Sequence, residues 1–326
     1  MEKLFNLAYH ECSLEVFNND YSVLEKFLTR HNLDGVELFL PYNTFDCKDF
    51  PKEFVRGVHL HYNPMWVDAY KGNSENLLFQ CGSNENARIL FGENFIENIK
   101  KRYIRESKMC QWFGAEYSVF HVADIGLDEV FRTKPYRYSN KEVLDCSVEL
   151  INSIYDDRYR NCTLAFENLW WPGLNFESYK ETKEFFDRII CKNKGFVLDV
   201  GHVMINAKNI YTEKDASREL IRRIHSLSTL RDRIKVMHLN CALSESYKQR
   251  DLTKEYQQFL GTMNVDERFC LARNVVTNLD THLPFLDESI NDVIRELNLE
   301  FIVLELGCET LKDLDYCISR QLEYLE

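Results

Sequence analysis

Short apolar runs alternate along the chain with longer segments in which apolar residues recur at helical spacing. Continuous apolar runs bounded by turn-forming residues are typical of buried strands, and apolar residues three or four positions apart are typical of helices that pack on a core. Eight runs predict strands at Leu4–Tyr9, Gly35–Leu40, Gly57–His61, Tyr117–His121, Thr163–Glu167, Gly195–Asp199, Ile234–Leu239 and Glu300–Leu306. Helical spacing predicts helices at Tyr21–Asn32, Glu93–Phe113, Lys141–Tyr155, Ser178–Ile190, Glu213–Leu227, Asp266–Asn278, Glu288–Leu297 and Leu311–Leu325.

Buried apolar strands joined by helices predict a parallel sheet that is covered on both faces. Eight such units close into a (β/α)8 TIM barrel, and the absence of a linker or composition break predicts one domain over residues 1–326. The two longest loops follow the third and seventh strands, so we expect both at the C-terminal ends of the strands. A doubly wound open sheet is the alternative, and no Gly-rich phosphate loop supports it.

Charge and composition narrow the class of protein. The formal net charge is −12, which argues against tight binding to bulk nucleic acid because that usually needs a basic face. The N-terminus lacks the apolar core of a signal peptide, and no segment is apolar for long enough to span a bilayer. Eleven cysteines without a C-x-x-C pair favour reduced thiols. We therefore expect a cytoplasmic protein that does not bind membranes.

Imidazoles and carboxylates occupy most of the predicted strand ends. They are His59 and His61, His121, Glu167, Asp199 with His202, His238 and Glu305, and Asp280-Thr281-His282 lies in the loop after the seventh strand. Taken singly, each also fits a structural role, since Asp199 could cap a helix and a strand-end histidine is usually a hydrogen-bonded core residue. Together, with little lysine or arginine among them, they predict a divalent-metal site. Imidazole favours zinc, and carboxylates leave manganese open.

The stretch Thr163–Asn175 combines a strand, an acid and an aromatic loop. Its apolar run ends on Glu167, which is followed by an amide, two tryptophans and a Pro-Gly turn. We expect aromatic side chains to line a wide substrate pocket, although the tryptophan pair could equally belong to the core. Asparagines that follow strand-end acids are candidates for orienting ligands or phosphate oxygens. The predicted substrate-binding residues are Tyr62, Trp66, Asn168, Trp170, Trp171 and Asn240.

The segments DGVEL, FHVAD, AFEN, LDVGH, MHLN and LELG resemble the xylose-isomerase-like TIM barrels, and the resemblance extends over nearly the whole chain. That superfamily includes sugar isomerases, epimerases and the endonuclease IV type of DNA-repair enzyme. For an isomerase or epimerase, the resemblance implies one metal ion held by Glu167, Asp199, His238 and Glu305. For an endonuclease-IV-like enzyme it implies three zinc ions and adds His59 or His61, His121, His202, Asp280 and His282. Placing Asp280 and His282 in the site is an assumption, because they follow His238 by more than forty residues.

The fuller ligand set favours the phosphodiesterase branch. Within it, VHLHYNPMWVDAYKG, EYSVFHVAD, ENLWWPGL, LDVGH and DTHLPF resemble the cobamide-remodelling phosphodiesterases, which cut the nucleotide loop of vitamin B12-type cofactors. This resemblance implies hydrolysis of a small-molecule phosphodiester, a corrinoid as the substrate, and Glu167 and Glu305 as catalytic carboxylates between two or three zinc ions.

Three alternatives stay open. A single-metal sugar or sugar-phosphate isomerase or epimerase would use Glu167 and Glu305 as its acid–base pair. An abasic-site endonuclease is a second alternative, which the negative charge disfavours. A barrel that binds a ligand without turnover is a third. Fold-level resemblance does not choose between these chemistries.

Overall fold

Eight parallel strands close into a barrel in which every strand pairs with its neighbours in chain order. The computed structural model describes residues 1–40, 47–92, 94–155 and 161–326. The strands are β1 (Glu2–Ala8), β2 (Gly35–Phe39), β3 (Val55–His59), β4 (Tyr117–His121), β5 (Thr163–Glu167), β6 (Lys194–Asp199), β7 (Ile234–Leu239) and β8 (Phe301–Leu304). The ring is completed by the pairing of β1 with β8. The predicted (β/α)8 barrel is confirmed.

The third strand differs most from its prediction. It was expected at Gly57–His61, whereas β3 begins at Val55 and ends at His59. The backbone N–H of His61 donates to Glu106 Oε2 at 3.2 Å, so this residue leaves the ladder of β3 and β4. His59 is therefore the last residue of the strand, and His61 belongs to the loop.

Helices fill the connections between the strands. They are α1 (Glu11–Glu15), α2 (Tyr21–His31), α3 (Trp66–Tyr70), α4 (Ser74–Cys81), α5 (Asn84–Phe91), α6 (Phe95–Phe113), α7 (Asn140–Ile154), α8 (Tyr179–Arg188), α9 (Val200–Asn206), α10 (Glu213–Ser226), α11 (Glu245–Lys248), α12 (Thr253–Gly261), α13 (Val265–Leu279), α14 (Ile290–Arg295) and α15 (Leu311–Leu322). The eight predicted helices are present with shifted ends, and Glu93 lies outside the described residues. The prediction missed α1, α3, α4, α5, α9, α11 and α12, which are too short to show a clear helical period.

Two apolar layers support the strand ends. Inside the barrel, Val119, Ala165 and Val303 pack with neighbours from other strands and are fully buried. A separate apolar cluster, which includes Trp170 and Trp171, joins the loops after β3 and β7. Both long loops therefore lie at the C-terminal ends of the strands, as predicted. None of the helices in the described part of the chain is long and apolar enough for a membrane crossing.

Candidate metal centre

The first group of ligand-competent side chains, called here the inner cluster, consists of His59, His121 and Glu167. These residues end β3, β4 and β5. His121 Nε2 lies 3.0 Å from Glu167 Oε2, and His59 Nε2 lies 3.5 Å from the same oxygen. Their ligand atoms lie within 4.8 Å of one another, which is the spacing that a single ion can bridge.

The second group, the central cluster, consists of Glu167, Asp199, His238 and Glu305. The Nδ1 atom of His238 lies 3.4 Å from Glu167 Oε1 and 3.3 Å from Glu305 Oε2. It also lies 3.9 Å from Asp199 Oδ2. Glu167 thus presents one oxygen to each of the first two clusters.

The third group, the outer cluster, consists of His202, Asp280 and His282. Asp280 Oδ2 lies 3.4 Å from His202 Nε2 and 2.9 Å from His282 Nε2. The chain returns to the end of β7 through α13 and an antiparallel bridge between Cys241 and Leu283. This return brings the Asp-x-His pair to the site despite its distance in sequence, whereas its role as a metal ligand stays a prediction.

Four imidazoles hold one ring nitrogen on a fixed partner and turn the other toward a carboxylate. The fixed contacts are His59 Nδ1 to Leu60 O (3.2 Å), His202 Nδ1 to Asn168 O (2.8 Å), His282 Nδ1 to Glu305 O (3.0 Å) and His238 Nε2 to Glu37 Oε2 (3.1 Å). Since each partner is an oxygen that accepts, the imidazole donates its N–H there and keeps a lone pair for the site. This arrangement is typical of histidines that bind metal.

The charges of the three clusters balance one another in the absence of a cation. Burial lowers the pKa of His202, but the negative charges of Asp199 and Asp280 outweigh it and raise the pKa to about 10. Burial also lowers the pKa of His238, and the charges of Glu37, Glu305 and Glu167 raise it well above its ordinary value. The neighbouring histidines conversely hold the pKa of Glu305 down to about 2 against the effect of burial. Glu305 is thus ionised, whereas burial and the neighbouring carboxylates raise the pKa of Asp199 to about 7, so a bound cation would favour its ionised form.

The chemistry of the donors fits divalent metal ions. Five buried atoms, one in each of five cluster residues, have no hydrogen-bond partner within the described part of the chain: Glu167 Oε2, His121 Nδ1, His238 Nδ1, Asp280 Oδ1 and Glu305 Oε2. Among the described residues, the ion pairs of Glu167, Asp199, Asp280 and Glu305 are all formed with histidine. Buried carboxylates that lack lysine or arginine partners are stabilised by cations.

Two predicted substrate-binding asparagines contact Asp199. Asn168 donates from Nδ2 to the backbone oxygen of Asp199 at 3.1 Å and accepts its backbone N–H at 2.9 Å. Asn240 donates from Nδ2 to Asp199 Oδ2 at 3.0 Å. Asp199 also caps α9, since its Oδ1 accepts the backbone N–H of His202. These contacts fit the predicted orienting role, and substrate binding by the two asparagines stays a prediction.

Two of the four predicted aromatic residues lie against cluster histidines, and a third joins them. The ring centroid of Trp170 lies 4.8 Å from that of His202, and the ring of Tyr62 lies 5.3 Å from His121. Tyr62 also stacks on Trp171 at 5.7 Å. These three side chains form a continuous aromatic row from His121 to His202. The row is part of the apolar cluster that joins the loops after β3 and β7.

Trp66 and His61 lie outside these contacts. Trp66 is buried, and its indole N–H donates to the backbone oxygen of Ala123 at 2.8 Å, so its position is that of a packing residue. The ring of His61 stacks on Phe39 at 6.3 Å, and burial together with Arg102 lowers its pKa to about 3. Of the two histidines left open by the sequence, His59 is the one that joins the inner cluster.

Glu37 is the residue that the site prediction missed. It lies in the middle of β2, fully buried, and contacts His238 from the side opposite the central cluster. The signal in the sequence was an acid within the apolar run DGVELFL, because a carboxylate in a buried strand requires partners.

Fold and site together define a TIM barrel with a candidate divalent-metal centre at the C-terminal ends of its strands. The family described as xylose isomerase-like TIM barrel matches residues 92–300, and the chain belongs to this family. Membership of this family supports the interpretation that the protein is an enzyme.

Solved structures show the same fold at low identity. A zinc-binding IOLI protein has a TM-score of 0.52 and 13% identity, with 99% of this chain and 96% of that one covered. A D-tagatose 3-epimerase-like protein has a TM-score of 0.51 and 14% identity, with 99% and 97% covered. The protein AsfvAP, in the structure AsfvAP:AG, has a TM-score of 0.51 and 12% identity over the same shares. No curated protein sequence matches the chain significantly.

Proposed function

We propose that the protein is a metal-dependent hydrolase of a small-molecule phosphodiester. The observation that carries this proposal is that the inner and outer clusters adjoin the central one. His202 Nδ1 lies 3.3 Å from Glu167 Oε1, and His121 Nε2 lies 3.0 Å from Glu167 Oε2. A single ion needs only the four residues of the central cluster. The remaining histidines and Asp280 would supply donors for two further ions.

The three clusters would each hold one divalent ion, with zinc favoured by the five histidines. Bound there, such ions would lower the pKa of a water molecule and neutralise charge on the phosphate. The chain itself supplies no lysine or arginine that pairs with the cluster carboxylates among the described residues. A negative protein with this site is better suited to one small phosphodiester than to a long polyanion.

Glu167 and Glu305 are the proposed catalytic carboxylates. Glu167 faces the inner cluster through Oε2 and the central cluster through Oε1, so it would lie between two ions. Glu305 is the most exposed acid of the central cluster, with 16% of its side chain accessible, and its Oε2 lacks a hydrogen-bond partner. It would therefore help to hold and orient an attacking water that the ions activate. The aromatic row of Tyr62, Trp170 and Trp171 limits water on one side of the site.

The substrate proposed first is the nucleotide loop of a corrinoid. Its support is the motif resemblance to cobamide-remodelling phosphodiesterases together with the aromatic row beside the clusters. A wide, mainly apolar molecule that carries one phosphodiester would match both features.

A sugar or sugar-phosphate isomerase or epimerase is the second candidate. The central cluster is complete without the others, and one of the structures with this fold is named as D-tagatose 3-epimerase-like. In such an enzyme Glu167 and Glu305 would move a proton at carbon. The names of the similar structures favour this candidate more than hydrolysis, whereas the inner and outer clusters favour hydrolysis.

The experiment joins metal analysis with two activity assays. Protein purified without chelator is analysed for bound metals, then assayed on bis(4-nitrophenyl) phosphate and a cobamide, and separately on ketohexoses. Two or three zinc ions per chain with phosphodiester cleavage would support the proposal. One ion per chain with interconversion of ketohexoses would overturn it in favour of the second candidate. Cleavage restricted to an abasic-site duplex would instead identify an endonuclease.

A further inference from the structure

The carboxylate of Glu37 is held by three side chains inside the barrel. Its Oε2 accepts the hydroxyl of Tyr117 at 2.8 Å and faces His238 Nε2 at 3.1 Å. Its Oε1 accepts Nδ2 of Asn6 at 3.1 Å. Glu37, Tyr117 and His238 are all almost completely buried. A carboxylate is retained in such a place only when its oxygens are well paired.

These contacts determine which nitrogen of His238 faces the central cluster. A neutral imidazole has one N–H and one lone pair. Because the Glu37 carboxylate accepts, His238 donates Nε2–H to it, and the lone pair remains on Nδ1. That atom lies 3.4 Å from Glu167 and 3.3 Å from Glu305.

An ion bound between Glu37 and His238 is a weaker explanation. Glu37, His59 and His238 do offer ligand atoms within 4.8 Å of one another. Such an ion would need the lone pair of His238 on Nε2, whereas the central cluster needs it on Nδ1. One neutral ring cannot supply both. His59 is moreover already turned toward Glu167.

We propose that Glu37 is a positioning residue that fixes the orientation and the protonated nitrogen of His238 for metal binding, with Tyr117 and Asn6 holding Glu37 in place. The proposal rests on the metal centre of the proposed function and on neither candidate reaction. The barrel makes room for this chain of contacts at Gly57, where a Cβ would lie 2.2 Å from Cζ of Tyr117. A carboxylate behind a ligating histidine orients the ring and increases its basicity, and its loss typically weakens metal binding about 10–100-fold.

The test measures zinc affinity by chelator competition in folded, fully metal-loaded protein. Glu37→Gln keeps the size and an accepting oxygen but removes the charge. We expect the affinity for one zinc ion to fall about 10–100-fold. Tyr117→Phe removes one of the contacts that hold Glu37 and is expected to reduce the affinity for the same ion by a smaller factor. Glu129→Gln is the matched control, because Glu129 is also buried and accepts from Gly126 but touches none of the clusters.

The outcomes separate this proposal from the proposed function. Wild-type zinc affinity in both Glu37→Gln and Tyr117→Phe would overturn it, and Tyr117→Phe carries the test if Glu37→Gln does not fold. An equal loss in Glu129→Gln would also overturn it, because the effect would then be general. Long-range 15N NMR of the zinc-bound wild type is expected to show the His238 proton on Nε2, and a proton on Nδ1 would contradict the proposal directly. A wild-type protein that binds no zinc would overturn the metal centre itself.

Discussion

His121 and Glu167 are direct partners in the register of β4 and β5, and their side chains meet at 3.0 Å between Nε2 and Oε2. Residues paired across parallel strands point in the same direction, so the two strand ends deliver an imidazole and a carboxylate to one point. Glu167 is 1% exposed, and the pKa of its carboxyl is held well below its ordinary value by His121 and His238, against the effect of burial. The carboxylate is therefore a shared charge for the inner and central clusters.

Glu167→Gln is expected to remove binding at both of these clusters. The amide keeps the shape but lacks the negative charge that two ions would share, so we predict the loss of up to two ions per chain. Turnover should fall by at least about 100-fold, since the substitution removes a ligand rather than its neighbour. Elemental analysis and kinetics on the same preparation measure both effects. Unchanged metal content would contradict the assignment of Glu167 as a shared ligand.

His282→Ala tests the outer cluster separately. We expect it to lose one ion and to retain the ions of the other two clusters, because His282 contacts Asp280 through Nε2 and only the backbone of Glu305 through Nδ1. Phosphodiester cleavage should fall by about 100–1,000-fold, in the range seen when one stabiliser of a charged transition state is removed. The control is His225→Ala, an exposed histidine that pairs with Glu296 on the barrel exterior. Full activity of His282→Ala with one ion per chain would favour the isomerase or epimerase.

Metal binding is expected to release protons and to weaken as the pH falls. The pKa of His202 is raised to about 10, so in the metal-free protein this ring is protonated at pH 7. An ion binds the neutral ring and must displace that proton, so apparent affinity rises with pH up to about 10. Each displaced proton changes the apparent affinity about tenfold per pH unit. Calorimetry in two buffers of different ionisation enthalpy counts the protons released. Binding without proton release would contradict this prediction.

The sequence was sufficient to predict the barrel and most of the side chains that meet at its strand ends, because both depend on local patterns. Each apolar run forms one strand, and a closed parallel barrel brings the C-terminal strand ends together whatever their distance in sequence. His121, Glu167, Asp199 and His238 could therefore be assigned to one place before any contact was known. The final residue of a strand was harder to predict, and the choice between His59 and His61 needed the contact of His61 with Glu106.

Contacts that depend on tertiary structure could not be predicted in the same way. Asp280 and His282 reach the site because α13 and the bridge between Cys241 and Leu283 return the chain to β7, and no local pattern encodes that return. Glu37 was missed because it lies within a strand rather than at its end. Trp66 was predicted to line the pocket from its residue type alone, and that role stays a prediction, because its indole N–H donates to the backbone oxygen of Ala123.

Asn168→Ala is expected to weaken both metal binding and stability. It leaves the buried N–H and C=O of Asp199 without their side-chain partners, at a cost of about 1–3 kcal/mol. It also removes the side chain that positions Asp199, so we expect about 10–100-fold weaker zinc binding. Urea unfolding and chelator competition measure the two effects.

Asn152 offers a matched control for this substitution. It makes the same pair of contacts, donating to the backbone oxygen of Arg188 and accepting the backbone N–H of Ile190, on the outside of the barrel. Asn152→Ala should reduce the free energy of unfolding without changing zinc affinity. If both variants reduce zinc affinity equally, Asn168 acts on stability alone.

Gly173→Ala is expected to destabilise the loop that carries Trp170 and Trp171. Gly173 has φ +136°, a backbone conformation that residues with a side chain rarely adopt. A Cβ there would lie 2.1 Å from the backbone oxygen of Val122. That oxygen accepts the N–H of Leu174 at 2.8 Å, so it cannot move away without breaking a hydrogen bond.

We predict that Gly173→Ala lowers the free energy of unfolding by about 1–3 kcal/mol, the usual cost of a backbone held in an unfavourable region. Gly261→Ala is the control, because a Cβ at this end of α12 meets nothing within 4 Å and alanine favours helix. Urea unfolding of the two variants beside the wild type measures the difference. Because the loop also holds the backbone oxygen that accepts from His202, a folded Gly173→Ala protein should bind zinc more weakly at the outer cluster than at the inner one. Equal stability of the two variants would show that the loop relaxes around the new side chain.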